Sequence, residues 1–386
     1  MKALNAFSYG LASLFIGFLF TPLIFSLTNF NLGSLMFGAS AIICIVGVLI
    51  FSKRLGKTVP LFLGILFLWL MVYSVIVPRI EGISVIVSLK QLGYYMKPIL
   101  FFLIGYLFIS IKRFTSLMLL AFWITTVGTV LFFLKSNFFI TAALERNPDG
   151  QGIAHFFAIG GRYIRNCSVY LSPLDTAFIC FFLTAFFHQK GKTWFLMISF
   201  ACLVLTMTRS AIIAAIVYFC AHQFFIKKWK NRVIYLFMLI ISLGVVIIVF
   251  SSKLEFLFLK DGSASMHVSN LLEVATDLLR IPFGHGIGYS GWSSIGQKNH
   301  LYSEGSFQAT ILENGFLFAV FYVFIGYALF KKDKTVSLPI YIGFFVASLM
   351  IPIGFSTLFN LIFFTYLGVI LKSDEIKNSY NNYQLE

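Results

Sequence analysis

Three arginines stand out by their surroundings. Arg162 and Arg165 share the stretch GGRYIRN, and Arg209 lies in LTMTRSA, inside an apolar run that extends from Thr193 to Lys228. A guanidinium is a planar fork of donors that matches phosphate oxygens two at a time. A cavity lined by Arg162, Arg165 and Arg209 would therefore hold a diphosphate. His267 and Glu304 are the candidates to accept a proton from an attacking hydroxyl, and Arg280, His300 and Tyr289 are candidate contacts for an acceptor or a sugar. A plainer role is open to each arginine, Arg146 included: pairing with Glu145, Asp149 or Asp175, or reaching along an apolar surface to water.

The remaining chemistry-bearing residues narrow the reaction class. The histidines at 155, 267, 285 and 300, with Glu304 and Glu313, show no metal-ligand spacing of the H-x-x-x-H kind, and no cysteine supports one. Neither of the two stretches that hold them contains a D-x-D pair. No metal and no cofactor is expected, so arginines rather than a cation would stabilise a departing diphosphate. The stretch GHGIG (Gly284–Gly288) has the glycines of an anion-binding turn. It follows no predicted strand, and a tight turn is the simpler expectation.

What must position these residues follows from composition. The chain has 386 residues, 59% hydrophobic and 11% charged, with a mean hydropathy of +0.91. Soluble domains are roughly a quarter charged, so these values predict an all-α polytopic integral membrane protein. The net charge of +15 does not point to nucleic acid. Most basic residues sit in short clusters between apolar runs: SKRLGK from Ser52, IKR from Ile111, HQKGK from His188, KKWKNR from Lys227 and KKDK from Lys331. That is the pattern of short cytoplasmic loops. The five cysteines form no disulfide framework, four of them lying inside apolar runs.

Holding the basic clusters on one side gives about twelve transmembrane helices with both ends of the chain inside. The expected spans are 8–27, 33–51, 60–77, 92–110, 115–134, 174–188, 194–207, 210–226, 233–251, 306–330, 336–353 and 355–371. The first is read as a span that is retained rather than a cleaved leader, because no small-residue cleavage site follows its apolar core. The organisation is then 1–134 with five spans, an outer loop at 135–173, four spans in 174–251, a second outer loop at 252–305, three spans in 306–372 and a polar tail at 373–386. The chain between HQKGK and KKWKNR must go out and return, so TMTRS becomes the tip of a hairpin of two short helices with Arg209 at the outer surface. Val268, Leu271, Leu272, Ala275, Leu278 and Leu279 recur at helical spacing, which predicts an interfacial amphipathic helix in the second loop, ending at Pro282.

Over roughly 145–320 the order of features resembles the O-antigen polymerase and ligase superfamily of bacterial envelope glycan synthesis. GGRYIRNCSVYLSPLDTAF follows a long outer loop. LTMTRSA is similar to the family's T-x-S-R-G hairpin tip, with the order Thr-Arg-Ser instead. DGSASMHVSNLLEVATDLLRIPFGHGIGYSG is similar to its helix followed by P-x-x-G-x-G-x-G, and EGSFQATILENGFLFAV to its acidic-glycine entry into a late span. Many members carry arginine where this chain has His267. Many ligases carry His-Asn where this chain has Ser303-Glu304, with Asn299-His300 slightly earlier. That difference favours the polymerases.

The resemblance implies a GT-C-like fold and an inverting, metal-independent glycosyltransferase in the bacterial inner membrane, with its active site facing the periplasm. Its substrates would be undecaprenyl-diphosphate-linked oligosaccharides, its surroundings membrane lipid, and a chain-length regulator a further partner; no nucleic acid is expected. Arg209, Arg165 and Arg162 would hold the diphosphate, and His267 or Glu304 would deprotonate the acceptor hydroxyl. The alternatives are the ligase activity of the same superfamily and a flippase for lipid-linked oligosaccharides. The flippase would be expected to show internal repeats and charges at mid-bilayer, and neither is found.

Overall fold

The computed structural model describes residues 2–28, 32–51, 58–146, 156–158, 163–226, 269, 272–277, 279–290, 305–351, 354 and 356–372. These are mostly helical, 85% of them. Two helices, Ile111–Leu134 and Arg209–Ile226, are long and apolar enough to cross a membrane, and shorter apolar helices lie at Leu14–Ile24, Gly64–Ile80, Thr193–Leu205, Ser337–Leu349 and Thr357–Lys372. The expected span at 233–251 and the tail at 373–386 lie outside the described residues.

The helices are α1 (Lys2–Thr28), α2 (Leu32–Phe51), α3 (Thr58–Met71), α4 (Val77–Ile80), α5 (Val85–Phe108), α6 (Ile111–Leu134) and α7 (Ser136–Arg146). After a two-stranded antiparallel ribbon, β1 (Phe157–Ala158) and β2 (Tyr163–Ile164), come α8 (Pro173–Gln189), α9 (Thr193–Leu205) and α10 (Arg209–Ile226). The last four are α11 (Ser306–Asn314), α12 (Ala319–Asp333), α13 (Ser337–Met350) and α14 (Thr357–Lys372). Local chemistry marks several starts. Ser110 accepts the amide of Arg113 before α6, and Ser172 accepts that of Asp175 before α8, with Pro173 at the first helical position.

The chain divides into two compact units. The first comprises Met1–Leu70, Gly93–Ile212 and Ile353–Glu386. Its centre is α8, buried without a break from Thr176 to Phe187 because it is apolar on every side. Aromatic side chains lock the neighbours onto it: Phe114 of α6 meets Phe182, Phe186 and Tyr366 edge-on or tilted, and Phe195 of α9 stacks on Phe187. α5 and α14 approach so closely that a Cβ on Gly105 or Gly368 would overlap the facing backbone at Thr365 or Phe102.

The second unit comprises Met71–Leu92 and Ile213–Pro352. α3 leads into it through a π turn, Val72–Ile76, before α4. Phe307 of α11, Tyr322 of α12 and Phe345 of α13 form its aromatic cluster.

Three regions differ from the sequence expectation. The stretch 135–173, expected as an outer loop, holds α7 and the β ribbon among its described residues, so it is not simply a loop. The expected continuous span 306–330 is broken between α11 and α12: Gly315 has φ +80°, and the amide of Phe316 donates to Pro282 O at 2.8 Å. Hydropathy averages along a segment and does not register a single residue at positive φ. Of the expected hairpin of two short helices, α9 with 13 residues is short at about 20 Å and packs on α8. α10 has 18 residues, about 27 Å, and is not short.

Candidate functional site

The tip of the turn between α9 and α10 consists of Thr206, Met207 and Thr208, and Met207 takes the left-handed conformation at φ +49°. Arg209 is the first residue of α10. The stretch after β2 is laid across this tip: Asn166 donates its amide to Leu205 O at 3.0 Å, and Arg165 donates its own to Phe156 O at 2.8 Å. The Arg165 guanidinium then spans the tip, with Nε on Thr206 O at 3.0 Å and Nη2 on Thr208 Oγ1 at 2.8 Å. Both acceptors are neutral. Burial, and after it the nearby Arg209 charge, pushes Arg165 down from the usual guanidinium value to about 10. It remains cationic at neutral pH.

A buried polar network fixes the segment that carries Arg165. Asn166 Nδ2 donates to Thr129 Oγ1 at 2.9 Å, and its Oδ1 accepts the amide of Ser168 at 3.0 Å. Ser168 Oγ donates to Thr125 O at 3.1 Å, and Thr125 Oγ1 lies 2.8 Å from Tyr170 Oη. Thr176 Oγ1 closes the network on Cys167 O at 2.7 Å. Such a satisfied network specifies one arrangement, because any slip leaves buried polar atoms without partners. Cys167 within it is fully buried, and burial pushes its thiol well up, so it is no nucleophile.

The structure thus brings together two of the three expected diphosphate ligands, Arg165 and Arg209. Two guanidinium groups held near one another repel, which is part of what lowers Arg165. Arg162 lies outside the described residues, as do His267, Glu304 and His300. Among the acids considered as plain partners, Asp175 accepts from Ser356 Oγ and lies within electrostatic reach of Lys97. Lys97 Nζ itself donates to Thr357 Oγ1 at 2.8 Å and sits 4.5 Å above the Tyr94 ring.

The second unit holds Arg280, which is exposed, and Tyr289. The Tyr289 ring stacks on His285, with centroids 3.8 Å apart at 15°, so one of its faces is already covered. Burial, followed by the charges of Asp277 and Glu81, raises its hydroxyl above the usual value. His285 is buried between carboxylates, with Nε2 2.7 Å from Asp277 Oδ2 and Nδ1 3.4 Å from Glu81 Oε2. The ring ties the helical stretch 272–277, the turn after α4 and the glycine turn together. The tie is not legible in the sequence because Glu81 and His285 are 204 positions apart and Glu81 carries no local motif.

The GHGIG turn does present amides to a carboxyl oxygen, and that carboxyl belongs to the protein's own Glu313. Gly284, Gly286 and Gly288 have φ of +77°, +92° and +101°. With those angles the amides of Gly288 and Ser290 reach Glu313 Oε1 at 3.0 and 3.1 Å. Gly286 donates to Glu313 O at 2.8 Å and His285 to Leu312 O at 2.9 Å, so the turn lies along the end of α11. A Cβ on Gly286 would stand 2.7 Å from Pro78 N, which excludes any other residue there. Among the described residues no three His, Cys, Asp or Glu side chains are grouped as metal ligands.

Two arginines thus stand near one another at the turn between α9 and α10, and the glycine turn is held by hydrogen bonds along the end of α11. Comparison of the chain with models of known protein families, with curated proteins and with solved structures finds no match.

Proposed function

We propose that this chain is a multi-pass inner-membrane glycosyltransferase that polymerises surface polysaccharide repeat units carried on undecaprenyl diphosphate at the periplasmic face. The observation that carries the reading is the nearness of Arg165 to Arg209 at the turn between α9 and α10, with Arg165 held on Thr206 and Thr208. Arginine is costly at membrane depth and is retained there for a site or pathway. Exposed apolar side chains on several helices, among them Leu68, Val127, Leu134, Trp194 and Val323, agree with a lipid surround.

In this reading a hydroxyl at the non-reducing end of the incoming repeat unit attacks the anomeric carbon of the growing chain from the face opposite the diphosphate. The new C–O bond forms as the bond to the diphosphate breaks, with inversion. The hydroxyl proton passes to His267 or Glu304, and the electron pair leaves on the lipid diphosphate. Arg209, Arg165 and Arg162 stabilise that charge as it develops; one such contact contributes about 10²–10³ in rate. Arg280, His300 and Tyr289 are the acceptor-side residues. Diphosphate is already a good leaving group, so prearranged charge suffices without a metal.

The test is a gel of surface lipopolysaccharide, run beside extracted lipid-linked glycans, from cells with the gene, without it, and with Arg209→Ala at equal expression. A ladder collapsing to core capped by one repeat supports polymerisation. Bare core with long chains still on the carrier would show ligation instead, and single repeats trapped inside would show transport.

A further inference from the structure

We infer that Gln91, Ser290 and Asn314, set around the glycine turn that wraps Glu313, form a recognition site for the hydroxyl groups of a neutral sugar. Among the described residues of the second unit, every buried side-chain nitrogen or oxygen without a hydrogen-bond partner belongs to these three. Gln91 is 1% exposed, and both its amide nitrogen and its amide oxygen lack partners. Ser290 is fully buried with Oγ unpartnered, and so is Asn314, whose Nδ2 donates to Thr310 O while its Oδ1 has no donor. Folded proteins satisfy nearly all such atoms.

The three belong to one neighbourhood. Gly288 packs directly on Ser88, where a Cβ would meet the Ser88 backbone at 3.2 Å. Gln91 lies one turn further along the same buried face of α5. Ser290 follows Gly288 by two residues, and both give their amides to Glu313, the residue before Asn314. The ligand chemistry follows from what is offered. Gln91 and Ser290 each present a donor and an acceptor, and Asn314 an acceptor. Acceptors outnumber donors beside the Glu313 carboxylate, which disfavours a phosphate. Hydroxyls that donate and accept at once, as on a pyranose ring, complement this set.

The site deepens the proposed function and rests on it for the source of the sugar, the glycan of the lipid-linked substrate. The test uses the full chain in nanodiscs with two probes, bare undecaprenyl diphosphate and the lipid-linked oligosaccharide extracted from host cells lacking this gene. The wild type should bind the oligosaccharide-bearing lipid more tightly than the bare one. Gln91→Leu and Ser290→Ala should each lower that preference by about tenfold, the effect of one good hydrogen bond, with binding of the bare lipid unchanged. Gln91→Leu should fold at least as stably as the wild type, since it removes an unpartnered amide. A preference retained in both variants overturns the site and leaves these atoms to buried water. A wild type that binds both probes equally overturns it too, while one that binds neither overturns the functional reading along with it.

Discussion

Gly288 donates its amide to the side chain of Glu313 at 3.0 Å, and Glu313 has no solvent exposure. A buried carboxylate is tolerated only where donors surround it, and here the glycine turn supplies them. Glu313→Ala would leave the Gly288 and Ser290 amides unpaired in the interior. At about 1–3 kcal/mol for each orphaned group, the loss should be about 2–6 kcal/mol. Glu313→Gln keeps one acceptor oxygen and should lose less. Heating followed by fluorescence-detected size exclusion would rank the three proteins.

Two glycines at positive φ make a matched pair. Gly286→Ala meets both a φ of +92° and the Pro78 ring, whereas Gly82→Ala meets a φ of +73° with nothing within 4 Å. The second should cost about 1–2 kcal/mol from backbone strain alone. The first should cost more, because Pro78 cannot move aside as a flexible side chain would. The same heating experiment reads both, and equal losses would mean that Pro78 yields.

Arg165 makes a prediction with a defined sign. Burial and the Arg209 charge lower it to about 10 in the folded chain, below the usual guanidinium value. At neutral pH it is protonated in both states and contributes no slope. Between about 10 and that usual value the unfolded state binds more protons, so this group makes stability rise with pH in that window. Anion binding runs the other way. Pyrophosphate affinity of the chain in nanodiscs should hold from pH 7 to 9 and fall as pH passes about 10 in the wild type. Arg209→Ala should weaken binding already at pH 7, by isothermal titration.

His285→Ala removes the ring that stands between Asp277 and Glu81, leaving two carboxylates without their shared partner. The 272–280 stretch should then open more readily. Arg280 is exposed at its end, so limited tryptic cleavage after Arg280 should be faster than in the wild type, while the cleavage rate at Arg113 should be unchanged.

Much of the helical frame was legible before any coordinates. The run from Thr115 to Leu134 lies within α6, the run from Leu174 to His188 within α8, and the turn expected at TMTRS falls between α9 and α10. Apolar runs, cap residues and basic clusters are local signals, and a helix answers mainly to local signals. Arg165 and Arg209 were singled out by residue type and surroundings; their nearness, and the acceptors that hold Arg165, Thr206 O and Thr208 Oγ1, came from the fold.

What only the tertiary structure decided are the contacts between distant segments. Glu81, Asp277 and His285 meet because α4 and the glycine turn fold against each other. GHGIG reaches the chain's own Glu313 because three residues take positive φ next to the break at Gly315. Composition and periodicity determined that this chain is helical and apolar enough to expect a membrane, since those properties sum along the sequence. Which buried polar groups find partners is set by a single hydrogen bond's geometry across hundreds of residues, and no window of sequence contains that information.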